Sequence, residues 1–158
     1  MTAMVRDLRE DALAIFRAGL EAVKPERLLE RGFREEVDGW RVGTEAVFPF
    51  PGPGGRMRIF GAGKAAAYLG QALASRLSSR PLSGRILVKY EHGLPLTGIH
   101  IEEASHPLPD AAGVAATRRL LDDLSDGRDA DRIFFVLTGG ASALLVAPAE
   151  GLSLADKI

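Results

Sequence analysis

The sequence predicts an α/β fold: a mostly parallel sheet flanked by helices in three layers, behind an N-terminal helical segment. Three observations predict it. From residue 57 onward, short apolar runs alternate with stretches of helical periodicity. The run 131–137 (DRIFFVL) is apolar for most of its length, as in a strand of a sheet covered on both faces. Two of the runs pass directly into glycine turns that open helices, at 61–64 (GAGK) and at 138–142 (TGGAS).

Composition bounds the rest. A chain of 158 residues has room for one domain that buries about two-thirds of its surface. Glycine, 18 of 158 residues, favours many tight turns over a helical bundle. A net charge of −1 supplies no basic field, so nucleic acid is not expected as a partner. No apolar run approaches the ~20 residues of a membrane span, and the N-terminus lacks a signal-peptide core. With no cysteine, disulfides, thiolate metal sites and a cysteine nucleophile are excluded. The expected compartment is the cytoplasm.

Residues 3–23 read as an amphipathic helix, with Met4, Leu8, Ile15 or Phe16, Leu20 and Val23 near a 3.6-residue period. Pro25 suits the first turn of a second, short helix and Gly32 its stop. Both read as packing elements without chemistry. Residues 40–50 (WRVGTEAVFPF) are rich in β-formers and close on the loop 51–55 (PGPGG). An edge hairpin is preferred over a flexible linker, because Trp40, Val42, Val47 and Phe48 need somewhere to pack.

Residues 57–60 form a strand. Ala65, Leu69, Leu73 and Leu77 share one face of a helix that ends before Pro81. Strands follow at 85–90 (RILVKY) and 98–104 (GIHIEEA). Residues 91–97 between them are too few for a helical crossover, so either the two strands are not neighbours or their connection is irregular. The loop 105–110 (SHPLPD) is stiffened by two prolines, and Asp110 suits the N-cap of a helix carrying Ala111, Val114, Leu121 and Leu124. Asp126-Gly127 breaks that helix ahead of the strand 131–137. Ser153 and Asp156 read as a capping box, and a helix start so near Ile158 suggests a chain cut short there.

In open α/β sheets, ligands bind beyond the carboxyl ends of the strands. Gly61, Gly63 and Lys64 share that edge with Thr138, Gly139, Gly140 and Ser142, and the loop 105–110 joins them if its strand runs parallel to the others. A strand–glycine–helix turn gathers backbone N–H groups and the positive end of a helix, so a phosphate or carboxylate site is the hypothesis. Lys64 adds a mobile charge. The plainer alternative is a tight turn with a solvated lysine. His106 could orient a substrate or act as acid or base, or only bond its own loop. His92 reads as a loop residue and His100 as a strand-face residue. Thr138 and Ser142 could donate to phosphate or cap helices, and Asp110 reads first as a cap. Tyr90, Glu102 and Glu103 read as solvated.

The first turn also fits G-x-G-x-x-[GA], the fingerprint of Rossmann-like dinucleotide-binding domains. Glu91 could then be the ribose-binding acid, although it stands about 28 residues past Gly63, against the ~20 of that fingerprint. It is not a P-loop, which needs a longer loop and a hydroxyl after the lysine.

Four ordered blocks, GAGKAA, KYEHGLPL, EASHPLPDAAG and LTGGASALLVAPAEGLSLADK, resemble the N-terminal part of the glycerate 2-kinase family across nearly the whole chain. The resemblance implies phosphoryl transfer from ATP to D-glycerate, giving 2-phosphoglycerate, with Mg2+. It implies that Lys64 steadies the transferring phosphoryl group, that 138–144 is a polyphosphate- or substrate-cradling loop, and that Ser105 to Asp110 matches a further family block. Ala141 replaces a glycine of the family pattern, which bears on how closely the backbone can approach phosphate. Thr138 replaces a serine, and Glu91 stands where glycine is usual. Members are more than twice this long, with the site in a cleft between two domains. The chain is therefore expected to be a single α/β domain holding half a site and inactive alone, and a face normally covered could make it self-associate into a homo-oligomer. The other readings are a dinucleotide-binding domain of an oxidoreductase and a non-catalytic anion-binding module.

Overall fold

The computed structural model describes residues 7–44 and 47–158. They fall into two compact units that divide after Pro49.

The first unit opens with helix α1 (Leu8–Ala22). It starts later than the apolar period implies because the Asp7 carboxylate accepts the N–H groups of Arg9 and Glu10, at 2.9 and 3.3 Å, and so fixes the N-cap. Residues 3–6 of the expected helix lie outside the described residues. No residue of α1 is buried, so the packing role expected of it is not seen among the described residues. Helix α2 (Pro25–Gly32) has proline in its first turn and ends at the expected glycine. Strands β1 (Phe33–Glu35), β2 (Gly39–Val42) and β3 (Val47–Pro49) form an antiparallel sheet of their own. The expected hairpin thus exists, with Trp40 buried, but it is not an edge of the larger sheet.

The second unit holds the parallel sheet. Its strands are β4 (Met57–Ala62), β5 (Leu82–Lys89), β6 (Ile99–Ala104) and β7 (Arg132–Leu137), in the order β6-β5-β4-β7. All pairings are parallel. β4 and β5 have a neighbour on both sides, and every residue of β4 is buried. Helix α3 (Ala66–Arg76) lies on the face of Ile86, where Ala66, Ala67 and Gly70 let it approach the sheet. Helix α4 (Ala111–Ser125) covers the opposite face, where Ala116 and Leu120 pack with Phe60, Ala62, Leu87 and Ala104. The α/β class and the mostly parallel, helix-flanked sheet expected from the sequence are therefore present.

The connection 90–98 resolves the alternative left open above. β5 and β6 are neighbours, paired from Gly84↔Ile99 to Lys89↔Ala104, and no helix joins them. An extended segment of that length reaches ~30 Å, enough to return along a six-residue strand. Local bonds hold it: the Gly93 N–H donates to Glu103 Oε1 at 2.9 Å, and Leu96 bridges Ile99.

Two ion clusters brace the sheet, the first by tying α4 to β5 and β6, the second by joining the leads into β4 and β7. Glu102, far from merely solvated, takes the Arg119 guanidinium at 2.8 and 2.9 Å and also pairs with Arg85, which reaches Asp123 at 2.8 Å. At the opposite end of the strands, the Asp131 carboxylate accepts the Arg56 backbone N–H at 2.8 Å and its guanidinium at 2.8 and 3.1 Å. The Arg56 guanidinium is the main reason the Asp131 pKa falls to about 2, against the desolvation that opposes it. A carboxylate depressed on folding contributes its full stability above its unfolded pKa, 3.8, and loses it as pH falls toward 2. The melting temperature is therefore expected to drop between pH 4 and pH 2 more steeply in the wild type than in Asp131→Asn, which lacks the titrating group. Parallel curves would contradict this.

Candidate active site

β4 and β7 are adjacent and parallel, so the glycine turns that follow them lie side by side. Their backbones are stitched together. In the first turn, Gly63 N–H donates to Leu87 O at 3.1 Å, Lys64 N–H to Gly139 O at 2.9 Å and Ala66 N–H to Gly63 O at 3.1 Å. Ala65 N–H donates to the Thr138 hydroxyl at 3.1 Å. The expected bare N–H groups are thus absent from this turn, because its neighbour supplies acceptors to them. Gly61 lies inside β4, buried, where a Cβ would strike the Val136 backbone, so it is a close-approach glycine of the sheet.

The second turn carries the open donors. Thr138 N–H closes onto Ala62 O at 3.1 Å, and Gly140, at φ 94°, precedes the one-turn helix α5 (Ala141–Leu144). Among the described residues, the N–H groups of Gly139, Gly140 and Ser142 meet no protein acceptor. Ala141 packs against the core cluster around Leu144, so the methyl that replaces a glycine of the family pattern is turned into the protein.

Lys64 and His106 converge on this turn. A Cβ added at Gly140 would lie 2.8 Å from His106 Nε2 and 3.2 Å from Lys64 Cγ, so both side chains flank the glycine. Lys64 is exposed, and its ammonium has no acceptor among the described residues. His106 comes from the loop after β6, immediately before a cis Pro107. That strand is parallel to its neighbours, so the loop joins the same edge of the sheet.

Asp110 stands at the rim as a structural residue. One carboxylate oxygen caps α4 by accepting Gly113 N–H at 2.9 Å, and the other accepts the Tyr90 hydroxyl at 2.7 Å. Burial raises its pKa, yet the Gly113 N–H and the Tyr90 hydroxyl outweigh that and hold it below the usual carboxylate value; the same contact raises the Tyr90 pKa. The Thr138 hydroxyl is likewise engaged within the protein, by the Ala65 N–H of the first turn. Tyr90, expected to be solvated, instead bonds Asp110, and His92 lies in a loop as expected but also reaches the first turn. His92 Nδ1 lies 3.1 Å from the Lys64 carbonyl and, with its proton there, donates to it. The only signal for either was their place in the KYEHG block. Glu91 sits at φ 65°, the region that favours glycine, so the bend survives the replacement.

The edge can hold an anion: three backbone donors face the same turn as a free ammonium and an imidazole. It does not gather a metal-ligand set, since no group of three His, Asp or Glu residues that could hold a metal ion occurs among the described residues.

The family model described as "Domain of unknown function (DUF4147)" matches residues 11–158. The chain belongs to the DUF4147 family. Its DUF4147 region is similar to a glycerate 2-kinase of Pyrococcus horikoshii, 30% identical over 151 residues, covering 95% of this chain and 33% of that protein. A solved glycerate kinase structure from Thermotoga maritima superposes with a TM-score of 0.73 at 28% identity, over 94% of this chain and 32% of that one. An Agrobacterium vitis protein provisionally named as a hydroxypyruvate reductase is 43% identical over 103 residues, 65% of this chain and 27% of that protein. The chain thus spans between about a quarter and a third of the length of the curated relatives it matches. The resemblance to glycerate 2-kinases read from the four blocks is borne out in both sequence and fold. No helix among the described residues is long and apolar enough to cross a membrane.

Proposed function

We propose that this DUF4147 chain is the phosphate-holding part of an ATP-dependent glycerate 2-kinase, which moves a phosphoryl group from ATP to D-glycerate and yields 2-phosphoglycerate. The observation that carries the reading is the convergence of Lys64 and His106 on Gly140, beside the open N–H groups of Gly139, Gly140 and Ser142. Phosphoryl transfer needs little covalent help from a protein; it needs charge stabilisation and in-line positioning. Here the backbone donors fix phosphate oxygens, the Lys64 ammonium offsets charge on the transferring group, and His106 orients the acceptor. Such a site needs donors from several sides, and the rest comes from polypeptide of the kind that makes the relatives three times longer. The chain alone is expected to show no ATP-to-glycerate transfer, and detectable turnover would contradict this. Magnesium belongs to the proposed reaction, but the described residues offer it no ligand set, so no step is assigned to it.

A second reading, a dinucleotide-binding domain of an oxidoreductase, draws on the strand order, which matches the first four strands of the Rossmann order, and on the reductase-named relative. Against it, the N–H groups of the first turn, which would hold a pyrophosphate, already have acceptors. A thermal-shift titration with ATP, ADP, D-glycerate and NADH, each with and without magnesium, separates the two. A ligand at a hundred times its dissociation constant adds about 2.7 kcal/mol. The kinase reading expects a shift with ATP or glycerate that Lys64→Ala removes while leaving the unliganded melting temperature unchanged. A shift with NADH alone supports the second reading, and no shift with any ligand contradicts both.

A further inference from the structure

Lys64 is the cation of the proposed site, and its reach is set by the backbone it hangs from. Both peptides that flank it are held at every polar group. In the peptide before it, the Gly63 carbonyl accepts Ala66 N–H at 3.1 Å and Lys64 N–H donates to Gly139 O at 2.9 Å. In the peptide after it, Ala65 N–H donates to the Thr138 hydroxyl at 3.1 Å, and the Lys64 carbonyl lies 3.1 Å from His92 Nδ1. Three of these bonds belong to the two glycine turns themselves. The fourth comes from outside them, from the connection between β5 and β6.

That connection holds its histidine still. Residues 89–92 turn back on themselves, with His92 N–H donating to Lys89 O at 3.0 Å. Tyr90 N–H donates to Ala104 O at 3.1 Å, its hydroxyl to Asp110 at 2.7 Å, and Gly93 N–H to Glu103 Oε1 at 2.9 Å. The end of β6 and the cap of α4 thus fix the backbone on both sides of His92, as a supporting shell does for a site residue. Between Tyr90 and His92, Glu91 sits at φ 65°, a conformation that a residue with a side chain keeps only where its surroundings impose it.

The bond also dictates the state of the ring. A carbonyl oxygen only accepts, so the neutral His92 ring carries its proton on Nδ1 and leaves Nε2 bare. From the clamped peptide, Lys64 runs beside Gly140, its Cγ 3.2 Å from where a Cβ would stand there.

We propose that His92 is a positioning residue: as the Nδ1–H tautomer it clamps the peptide between Lys64 and Ala65, and so aims Lys64 along Gly140. What this does for phosphate rests on the kinase reading; the clamp itself does not.

The test uses the 158-residue protein with His92→Asn, His92→Gln and His92→Ala. Asparagine carries its amide nitrogen at the same remove from Cβ as Nδ1, and glutamine at the remove of Nε2, so only the first replaces the donor. A long-range proton–nitrogen correlation spectrum of the neutral wild-type ring is expected to show the Nδ1–H tautomer. Amide exchange at Ala65, compared with its neighbours, reports the clamped peptide. It is expected to quicken about tenfold in His92→Gln and His92→Ala and to stay within about twofold of wild type in His92→Asn. The Kd for ATP–magnesium should follow the same order, about tenfold weaker in the first two and kept in the third. A tie that serves stability alone would lower the melting temperature of His92→Gln and leave the Ala65 rate and the ATP affinity where they were. That result would overturn the proposal, as would an Nε2–H tautomer or a His92→Asn that behaves like His92→Gln. No ATP response in the wild type counts against the kinase reading; the tautomer and the Ala65 rates then decide the role of His92 by themselves.

Discussion

Gly63→Ala is expected to destabilise the second unit by about 3–5 kcal/mol, combining a strained backbone with an overpacked contact. The residue sits at φ 132°, and a Cβ there would lie 2.6 Å from the Thr138 carbonyl oxygen and 2.8 Å from its carbon. Neither atom can retreat easily. Thr138 N–H is bonded to Ala62 O at 3.1 Å, and Lys64 N–H to Gly139 O at 2.9 Å, so the clash falls on a backbone pinned from both sides. Gly139→Ala is the control: a Cβ there meets nothing within 4 Å, and its effect is expected within about 0.5 kcal/mol. Urea midpoints of the two variants make the comparison. Similar midpoints would show that the turns are not stitched as described.

Leu144→Ala is the second large effect, at about 2–5 kcal/mol for a buried leucine truncated to alanine. Leu144 is fully buried among Phe60, Leu87, Ala104, Ala116 and Leu120. It is also the last residue of α5, so it anchors the turn that presents Gly139, Gly140 and Ser142. The Leu144 carbonyl accepts the Thr117 hydroxyl at 3.4 Å, and that hydroxyl in turn accepts Val146 N–H at 2.9 Å, which ties the turn to α4. Denaturation of Leu144→Ala should therefore show lost stability together with weakened ligand response. A variant that loses stability while keeping full ligand response would separate the core from the site.

The parallel sheet was legible because its strands announce themselves. DRIFFVL reads as a strand, and GAGK and TGGAS mark where two strands end. The cover expected on both faces of DRIFFVL is not there, however: β7 ends the sheet, with Val136 buried and Ile133, Phe135 and Leu137 exposed. The caps at Asp110 and Ser153 were legible for the same local reason, a short polar side chain just ahead of a helix. What the sequence withheld is long-range pairing. Nothing local says that β5 and β6 are neighbours without a helix between them. Nothing local says that the N–H groups of Gly63, Lys64 and Ala65 are taken by β5 and by the turn after β7. The same blindness left Tyr90 and Glu102 reading as solvated, since their partners Asp110, Arg119 and Arg85 stand elsewhere in the chain. Lys64, His106 and Gly140 were each visible as candidates, and the structure adds that they meet at one point.

The second glycine turn, with Lys64 beside it, is proposed to hold phosphate. Amide chemical-shift mapping with ATP and magnesium reads that turn directly. The largest changes are expected on Gly139, Gly140 and Ser142, and Lys64→Ala is expected to abolish them. Changes confined to the Gly63–Ala66 turn and Glu91, or changes that survive Lys64→Ala, would contradict it.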